Sequence, residues 1–310
     1  VWTIFENGPL HEKVDLLVLG DGFSAEEQEQ FHADAIRLVG KLFETEPFQS
    51  RKQDFNVRAV DLTADQSGVT RPTAGEARRS PINVRYSIFG SERYALTLDN
   101  RALRDAAATA PYDCLVVLMN ERKYGGGGIY QDQAVTAAGN QFSDYIFVHE
   151  FGHHFAGLAD EYYVASVAYQ FDDATPDEPW EPNITATTDP QQIKWRELLS
   201  NEVPVPTPWT KEEYEEQSKE LARKRAELRA TSAAENELES LFKQERAALT
   251  QLLSENEYAG KVGAFEGGGY RAKGVYRPAV DCIMFTRNEV GFCPVCRRAI
   301  ERVIDQHIGK

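Results

Sequence analysis

The sequence has few cysteines, methionines and histidines, and it lacks long apolar runs. There are four cysteines, two methionines and six histidines in 310 residues. A membrane-spanning helix needs about 20 consecutive apolar residues. The longest apolar stretches, "DLLVLG" and "DCLVVLM", have only the length of a β-strand. We therefore predict that the chain contains no membrane-spanning segment.

Positive charge is also scarce. Lys and Arg total 34 against 49 Asp and Glu, which leaves a net charge of −15. Proteins that bind the phosphate backbone of nucleic acids use clustered basic side chains to displace counterions. The charge balance therefore argues against a nucleic-acid partner.

The cysteines are too few for a zinc site made of two Cys-x-x-Cys pairs. They are Cys114, Cys282, Cys293 and Cys296, and only the last two form such a pair, within "CPVC". A tetrahedral structural zinc site needs two further ligands, and no second pair exists. We therefore predict a local disulfide or free thiols here, with Cys282 paired to Cys293 or Cys296 if a disulfide forms.

Alternating strand and helix patterns run through the first half of the chain. "KVDLLVLGDGFSAEEQEQFHADAIRLVGKLF" reads as a buried strand, a glycine turn and an amphipathic helix. Ser24 and Glu27 have the spacing of a capping box, so the helix should begin near Ser24. "DFNVRAVDLT" and "YDCLVVLMN" are further predicted strands. This order predicts an α/β fold with a mostly parallel sheet.

Residues 210–257 differ in composition from the rest of the chain. They are rich in Glu, Lys, Ala, Arg and Leu, and "TSAAEN" interrupts them. We predict an inserted helical hairpin with arms of about twenty residues, typical of coiled-coil composition. Its leucines at helical spacing are Leu221, Leu228, Leu238, Leu241, Leu249 and Leu252. No catalytic residue pattern occurs there, so the hairpin is interpreted as a solvated spacer or an oligomerisation arm.

Three of the six histidines fall within "HEFGHHFAGLADEYY", residues 149–163. His149 and His153 are four residues apart, so on a helix both project from one face and can bind one zinc ion. Glu150 lies beside them, where an attacking water would be. His154 points about 100° away from His153 on an ideal helix, and we interpret it as a packing residue.

A catalytic zinc usually has three protein ligands. Gly157 is a natural helix end, after which the chain can turn back and present a carboxylate. Asp160 is the preferred third ligand, and Glu161 is the alternative. Met284, within "VDCIMF", has two interpretations: the methionine turn that lies beneath the ligands in metzincin peptidases, or an ordinary core residue.

Four consecutive glycines occur at residues 125–128, within "YGGGGIYQDQ". They do not form a phosphate loop, because no Lys-Ser/Thr follows them. Glycines allow another backbone to approach closely, as at a sheet edge, although a mobile surface loop is the alternative.

Together these segments resemble the IgA-peptidase family of metzincin-like zinc metallopeptidases. The matching pieces are "LGDGFSAEEQ", "FNVRAV", "YGGGG", "HEFGHHFAGLADEY", "EPNIT", "VGAFEGGGYRAKGVYRP" and "DCIM". They cover nearly the whole chain apart from the hairpin. The resemblance implies a single catalytic domain over residues 1–310, with a twisted mixed sheet, an active-site helix and a methionine turn, and with residues 210–257 inserted in it.

The resemblance also implies zinc bound by His149, His153 and Asp160, with Glu150 as catalytic base. The chain departs from the wider metzincin pattern, which places glycine three residues after the second histidine and the third ligand three residues after that glycine. Ala156 occupies the glycine position here, and Gly157 and Asp160 each come one residue late.

Further expectations follow for the reaction and the substrate. Tyr276 and Tyr270 are candidates for stabilising the oxyanion, with aromatic packing as the alternative for both. A substrate strand would pair with the backbone at the edge formed by "GGGGIYQDQ". The expected activity is hydrolysis of peptide bonds in protein or peptide substrates, with endopeptidase action favoured.

Location and assembly are expectations of the same kind. The chain begins at Val1 and shows no signal-peptide pattern, which is the expectation for a processed or trimmed form. The resemblance and the clustered cysteines indicate a secreted, periplasmic or cell-surface protein. The hairpin is a candidate surface for self-association. The acidic "FDDATPDEPWEP" is interpreted as a solvated loop rather than a calcium site.

Two other functions fit parts of the sequence. One is a non-catalytic or adhesive binding module, in which the zinc site is structural or vestigial. An open fourth position on the metal favours the enzyme, whereas a protein ligand there favours the binding module. The other is a zinc amidase that acts on cell-wall peptides, which only a comparison of substrates separates from a peptidase.

Overall fold

The computed structural model describes residues 1–163, 176–231 and 234–309. The chain divides into two compact units. The first comprises Val1–Gly157 with Ile300–Lys310, and the second comprises Leu158–Ala299. Residues 171–175 of the acidic "FDDATPDEPWEP" segment, which was interpreted as a solvated loop, lie outside the described residues.

A six-stranded mixed sheet forms the centre of the first unit, in the order β1-β3-β2-β4-β6-β5. The inner pairs β2–β3, β2–β4 and β4–β6 are parallel, and the two edge strands are antiparallel to their neighbours. The mostly parallel sheet predicted from the sequence is therefore confirmed. The strands are β1 (Trp2–Phe5), β2 (Val14–Asp21), β3 (Phe55–Val60), β4 (Cys114–Met119), β5 (Gly126–Ile129) and β6 (Gln133–Ala137).

Three helices cover the sheet: α1 (Gln28–Leu42), α2 (Asn100–Ala107) and α3 (Ser143–Ala156). The predicted capping box is present: the Ser24 backbone N–H donates to Glu27 Oε2 at 2.9 Å, and the chain enters α1 through a short 3-10 turn. The capping box satisfies backbone donors that the first helical turn leaves unpaired. The predicted helix start is therefore confirmed.

Both faces of the sheet are buried, which explains why its inner strands are apolar along their whole length. Leu17 and Leu19 of β2 pack in one core with Leu103 of α2. On the opposite face α1 lies very close to β2, since a Cβ added at Gly20 would be 2.9 Å from the ring of Phe31. α3 packs on β5 and β6.

The second unit contains a two-stranded sheet and the helical hairpin. β7 (Phe265–Gly268) pairs antiparallel with β8 (Arg271–Arg277). α4 (Lys211–Ala230) and α5 (Glu235–Ser254) are each 20 residues long and pack on each other. The last helix, α6, spans Pro294–His307, and the boundary between the two units falls within it, after Ala299.

The hairpin is packed against its own unit. Tyr214 of α4 contacts Phe285, with ring centroids 4.8 Å apart. Glu245 of α5 accepts hydrogen bonds from Arg225 and Arg287, both at 3.0 Å. Of the predicted leucines, Leu221, Leu241 and Leu249 are buried, and Leu253 is buried in place of Leu252. Helical spacing therefore identified three of the seven buried residues of the two helices.

Across the described residues, no helix is both long enough and apolar enough to cross a membrane. The α/β class and the mixed sheet agree with the sequence-based prediction.

Candidate active site

The helix α3 carries a polar face and an aromatic face. His149 and His153 are one turn apart, and Phe151 and Phe155 lie two residues further on, which places them on the opposite side of the helix. The Phe151 and Phe155 rings stack with centroids 5.2 Å apart. They pack on Phe48, whose ring lies 5.3 Å from Phe151 and 5.9 Å from Phe155. This core holds the orientation of the histidine face.

The two imidazoles converge. Their Nε2 atoms are 3.1 Å apart, and the ring planes are nearly perpendicular, with centroids 4.7 Å apart. His149 is buried and His153 is half-buried. The Tyr145 hydroxyl lies 3.2 Å from Nδ1 of His149. A hydrogen bond at the far nitrogen orients an imidazole ligand, as metal-binding histidines require.

The glycines of β5 lie directly against α3. A Cβ added at Gly128 would be 2.4 Å from the Glu150 carbonyl oxygen and 2.8 Å from Cβ of His153. A Cβ added at Gly126 would be 2.7 Å from the Ile146 side chain. Only glycine allows this approach. The sheet-edge interpretation of the four glycines is thus confirmed, and the surface-loop alternative is wrong.

His154 connects α3 to the sheet. Its Nε2 accepts a hydrogen bond from the Leu115 N–H at 3.0 Å, and its Nδ1 lies 3.0 Å from the Ile129 carbonyl oxygen. Burial lowers the pKa of His154 to about 4, so the ring is neutral at neutral pH. Both ring nitrogens are engaged with backbone groups, as the packing interpretation requires.

The helix ends where the sequence predicted. Gly157 is left-handed, with φ 60° and ψ 33°, and its N–H donates to the His153 carbonyl oxygen at 3.1 Å. Asp160 follows three residues later. One ligand atom each of His149, His153 and Asp160 lies within 4.8 Å of the other two. Glu161 belongs to a different group of side chains.

Two residues support the segment that carries Asp160. The Tyr270 hydroxyl donates to Asp160 Oδ2. Burial raises the pKa of Tyr270, and the neighbouring carboxylate adds to this shift, so the phenol stays protonated and remains a donor. Asn183 is fully buried and bonds both the N–H and the carbonyl oxygen of Ala159, at 2.7 and 2.9 Å.

The donor set fits a divalent transition metal. Two nitrogen ligands at Zn–N distances of about 2.0–2.1 Å in a tetrahedron are about 3.3 Å apart. The Nε2 atoms of His149 and His153 are 3.1 Å apart. Two imidazoles and a carboxylate are a ligand set that zinc accepts at catalytic centres. The three side chains can therefore hold such an ion without rearrangement of the histidines.

Met284 lies in a tight, buried turn. The N–H groups of Phe285 and Thr286 both donate to the Cys282 carbonyl oxygen, at 2.8 and 3.0 Å. Met284 is fully buried, and its carbonyl oxygen accepts a hydrogen bond from the Glu161 N–H at 2.8 Å. The turn is thus tied to the residue that follows Asp160.

The predicted disulfide is absent from the structure, in which all four cysteines, each among the described residues, are free. The Sγ atoms of Cys282 and Cys296 are 3.8 Å apart, whereas a disulfide bond is about 2.05 Å long. The pairing of Cys282 with Cys293 or Cys296 is therefore corrected. One ligand atom each of Cys282, Cys293, Cys296 and Glu161 lies within 4.8 Å of the others.

Tyr276 lies on β8, where its backbone exchanges hydrogen bonds with Thr185 at 2.8 and 3.0 Å. Burial and the nearby Glu266 raise the pKa of its hydroxyl.

Sequence reasoning missed Asn183 and the placement of Glu161 beside the cysteines. The only sequence signal for Asn183 was its place within "EPNIT".

A comparison with models of protein families identifies a family for this chain. No curated protein matches the chain. The sequence model of the family described as IgA Peptidase M64 matches residues 3–304, which is nearly the whole chain. The protein therefore belongs to the IgA peptidase M64 family of metallopeptidases.

Proposed function

We propose that the chain is a zinc-dependent endopeptidase. His149, His153 and Asp160 are its proposed metal ligands, and Glu150 is its proposed general base. The observation that carries the proposal is the convergence of three potential ligand atoms within 4.8 Å, next to a buried glutamate on the same helix. Membership of a peptidase family supports hydrolysis of peptide bonds as the reaction.

Zinc, when bound, would polarise the scissile carbonyl and lower the pKa of water towards neutrality. Glu150 follows His149 directly in α3 and is 8% exposed. In this proposal its carboxylate takes a proton from the attacking water and then delivers that proton to the leaving amine. The close packing of Gly126 and Gly128 on α3 holds the Glu150 backbone in place.

The two tyrosines take different roles in this proposal. The Tyr270 hydroxyl donates to Asp160, so we assign Tyr270 to positioning that carboxylate rather than to the oxyanion. Tyr276 remains the candidate oxyanion stabiliser. Met284, in its buried turn, is proposed as the methionine turn of a metzincin-like site.

The edge strand β5 limits where a peptide substrate could pair. The Gly126 N–H donates to the Arg93 carbonyl oxygen at 3.2 Å, and the Ala95 N–H donates to the Gly126 carbonyl oxygen at 3.1 Å. The chain itself therefore occupies the outer edge at Gly126. We propose that a substrate strand pairs with the remaining outer edge of β5, beyond Gly126. Export from the cell and self-association through the hairpin remain predictions.

An unbiased peptide library, digested by wild-type enzyme and by Glu150→Gln, tests the proposal. We expect the wild type to cleave within peptides. General acid–base groups contribute about 100-fold to 10,000-fold in rate. The variant should therefore lose at least about 100-fold in cleavage rate, while its zinc content is unchanged. Glutamine keeps the size of the side chain, which makes the zinc content a control for folding.

The same experiment separates the alternatives. Equal turnover by the wild type and the variant would contradict the role of Glu150. No cleavage by zinc-loaded wild type would favour the binding module. Cleavage of cell-wall peptides alone would favour the amidase.

A further inference from the structure

We propose that Glu161, Cys282, Cys293 and Cys296 form a second zinc site, structural rather than catalytic. All four side chains belong to the second unit. One ligand atom of each lies within 4.8 Å of the others. They come from three places in the sequence: the segment after α3, the turn that contains Met284, and the beginning of α6.

Two of the six distances between ligand atoms match those of a tetrahedral zinc site. With Zn–S bonds of about 2.3 Å, two sulfur ligands are about 3.8 Å apart, and a sulfur and an oxygen ligand are about 3.5 Å apart. The Sγ atoms of Cys282 and Cys296 are 3.8 Å apart. Sγ of Cys296 is 3.4 Å from Oε1 of Glu161. These three side chains are therefore spaced as zinc ligands, and Cys293 lies within 4.8 Å of them.

A buried carboxylate at this position needs a partner. Glu161 is fully buried, and its Oε1 accepts a hydrogen bond from Asn183 at 3.0 Å. Its Oε2 is buried without a hydrogen-bond partner among the described residues. Leaving a buried acceptor unsatisfied destabilises the folded chain. A cation held jointly with the three sulfurs removes that cost, and Asn183 orients the ligand as outer hydrogen bonds do at metal sites.

Backbone amides point at the sulfurs. The Cys293 N–H donates to Sγ of Cys282 at 3.4 Å, and the Cys296 N–H donates to Sγ of Cys293 at 3.5 Å. Thiolates accept such bonds better than thiols, because the acceptor then carries charge. The "CPVC" stretch thus has donors placed for ligands in the charged form that zinc requires.

The charge of the site is partly balanced inside the unit. Three thiolates and one carboxylate with Zn²⁺ carry a net charge of −2. Arg277 is fully buried, and its charge acts on Glu161. Its guanidinium lies over the rings of Phe285 and Trp209, 3.8 and 4.1 Å from their centroids. The buried cation therefore offsets part of the excess negative charge.

The second site would stabilise the position of Asp160 in the site formed with His149 and His153. This part of the inference rests on the proposed peptidase function. Glu161 directly follows Asp160, and Cys282 lies two residues before Met284. The Glu161 N–H also donates to the Met284 carbonyl oxygen at 2.8 Å. A zinc ion on Glu161 and Cys282 would cross-link the segment that carries Asp160 to the methionine turn and to α6.

Metal content tests the proposal without reference to activity. Wild-type protein, purified under reducing conditions and loaded with zinc, should contain two zinc ions per chain. His153→Ala should contain one. When loaded with cobalt instead, His153→Ala should show the charge-transfer absorption of cobalt–thiolate bonds. One zinc in the wild type with none in His153→Ala would overturn the second site.

Two serine variants locate the thiolate ligands. Cys282→Ser should contain one zinc ion and melt at a lower temperature than the wild type. Cys114→Ser is the matched control, because Cys114 is also buried but belongs to β4 of the first unit, and it should retain two. If Cys282→Ser does not fold, the cobalt spectrum of His153→Ala decides alone. A disulfide found by mass spectrometry in protein that still binds one zinc would also contradict the site.

Discussion

The two groups of potential metal ligands in this chain are built in different ways. In the histidine group, which consists of His149, His153 and Asp160, the two histidines come from successive turns of one helix, and His153 is half-buried. The cysteine group consists of Glu161, Cys282, Cys293 and Cys296. It draws on separate segments, is rich in sulfur, and is buried at all four positions. Catalytic zinc sites keep a position open to solvent and substrate, whereas structural sites are closed by four protein ligands. The contrast in burial and ligand type is consistent with the catalytic role proposed for the first group and the structural role proposed for the second.

Asp160 and Glu161 show how closely the two groups are connected. They are neighbours in the sequence, yet Asp160 lies with the histidines and Glu161 with the cysteines. Each has its own support, since Tyr270 donates to Asp160 and Asn183 donates to Glu161. Loss of the ion proposed at the cysteine group should therefore disturb Asp160 through this short segment.

Removing metal stepwise should separate the two groups, and this is the largest expected effect. Mild chelation should lower the zinc content from two to one per chain and abolish hydrolysis. The ion at the histidine group should be lost first, because the half-buried His153 leaves that group accessible to solvent. The melting temperature should fall clearly only when the second, fully buried zinc is removed under harsher conditions. Zinc content, activity and thermal unfolding are measured on the same samples.

Re-addition of one zinc equivalent after mild chelation is the control, and it should restore activity. Full activity in a sample whose histidine group is empty would contradict the distinction between the two groups. So would simultaneous loss of both ions at every chelator concentration.

Replacing Tyr270 by Phe should weaken the histidine group selectively. The phenol donates to Asp160, and loss of a hydrogen bond behind a ligand typically costs about 10-fold to 100-fold in metal affinity or activity. We expect zinc affinity and kcat to fall within that range, with the cysteine group still occupied. Zinc competition titrations and steady-state kinetics measure both quantities.

Tyr276→Phe is the comparison for that experiment. If the Tyr276 hydroxyl stabilises the oxyanion, this variant lowers kcat with unchanged zinc affinity. Unchanged zinc affinity in Tyr270→Phe would show that its hydroxyl does not position Asp160.

Substituting Gly128 by Ala should disturb the helix that carries the histidines. The added Cβ would be 2.4 Å from the Glu150 carbonyl oxygen, so β5 or α3 must shift. Overpacking of this kind costs about 1–3 kcal/mol. Urea unfolding measures the loss, and zinc at the cysteine group should be retained.

Gly40→Ala is the matched control for this effect. Nothing lies within 4 Å of a Cβ added at Gly40, which is inside α1. Alanine stabilises a helix interior over glycine by about 0.5–1 kcal/mol, so this variant should gain stability. A loss of stability equal to that of Gly128→Ala would contradict the steric explanation.

Much of the fold was predictable because its signals are local. The apolar runs at residues 14–21 and 114–119 identified β2 and β4, since strands buried on both faces need side chains of one kind throughout. Four-residue spacing placed His149 and His153 on one face of a helix. β5 was anticipated only as a place of close approach, because glycine shows what a backbone permits and not which partner it meets.

The cysteine group shows what could not be predicted. The Cys-x-x-Cys pair offers only two ligands, and no neighbouring residue adds another, but Glu161 and Cys282 supply two more side chains from distant parts of the chain. No periodicity links a carboxylate after α3 to a thiol in a later turn. Of the two alternatives predicted for these cysteines, the disulfide was wrong and free thiols agree with the structure. The distance between the sulfur atoms, which spacing in the sequence does not give, decides between them.

The sequence by itself determined the α/β class, the helix with its paired histidines and adjacent glutamate, and the place where that helix ends. These depend on interactions within a few residues, which spacing and propensity describe. Only the tertiary structure decided that Asp160 rather than Glu161 lies with the histidines, that Tyr270 and Asn183 support these carboxylates, and that the cysteines gather around Glu161. Those choices follow from packing between segments far apart in the chain, where burial makes each polar group find a partner.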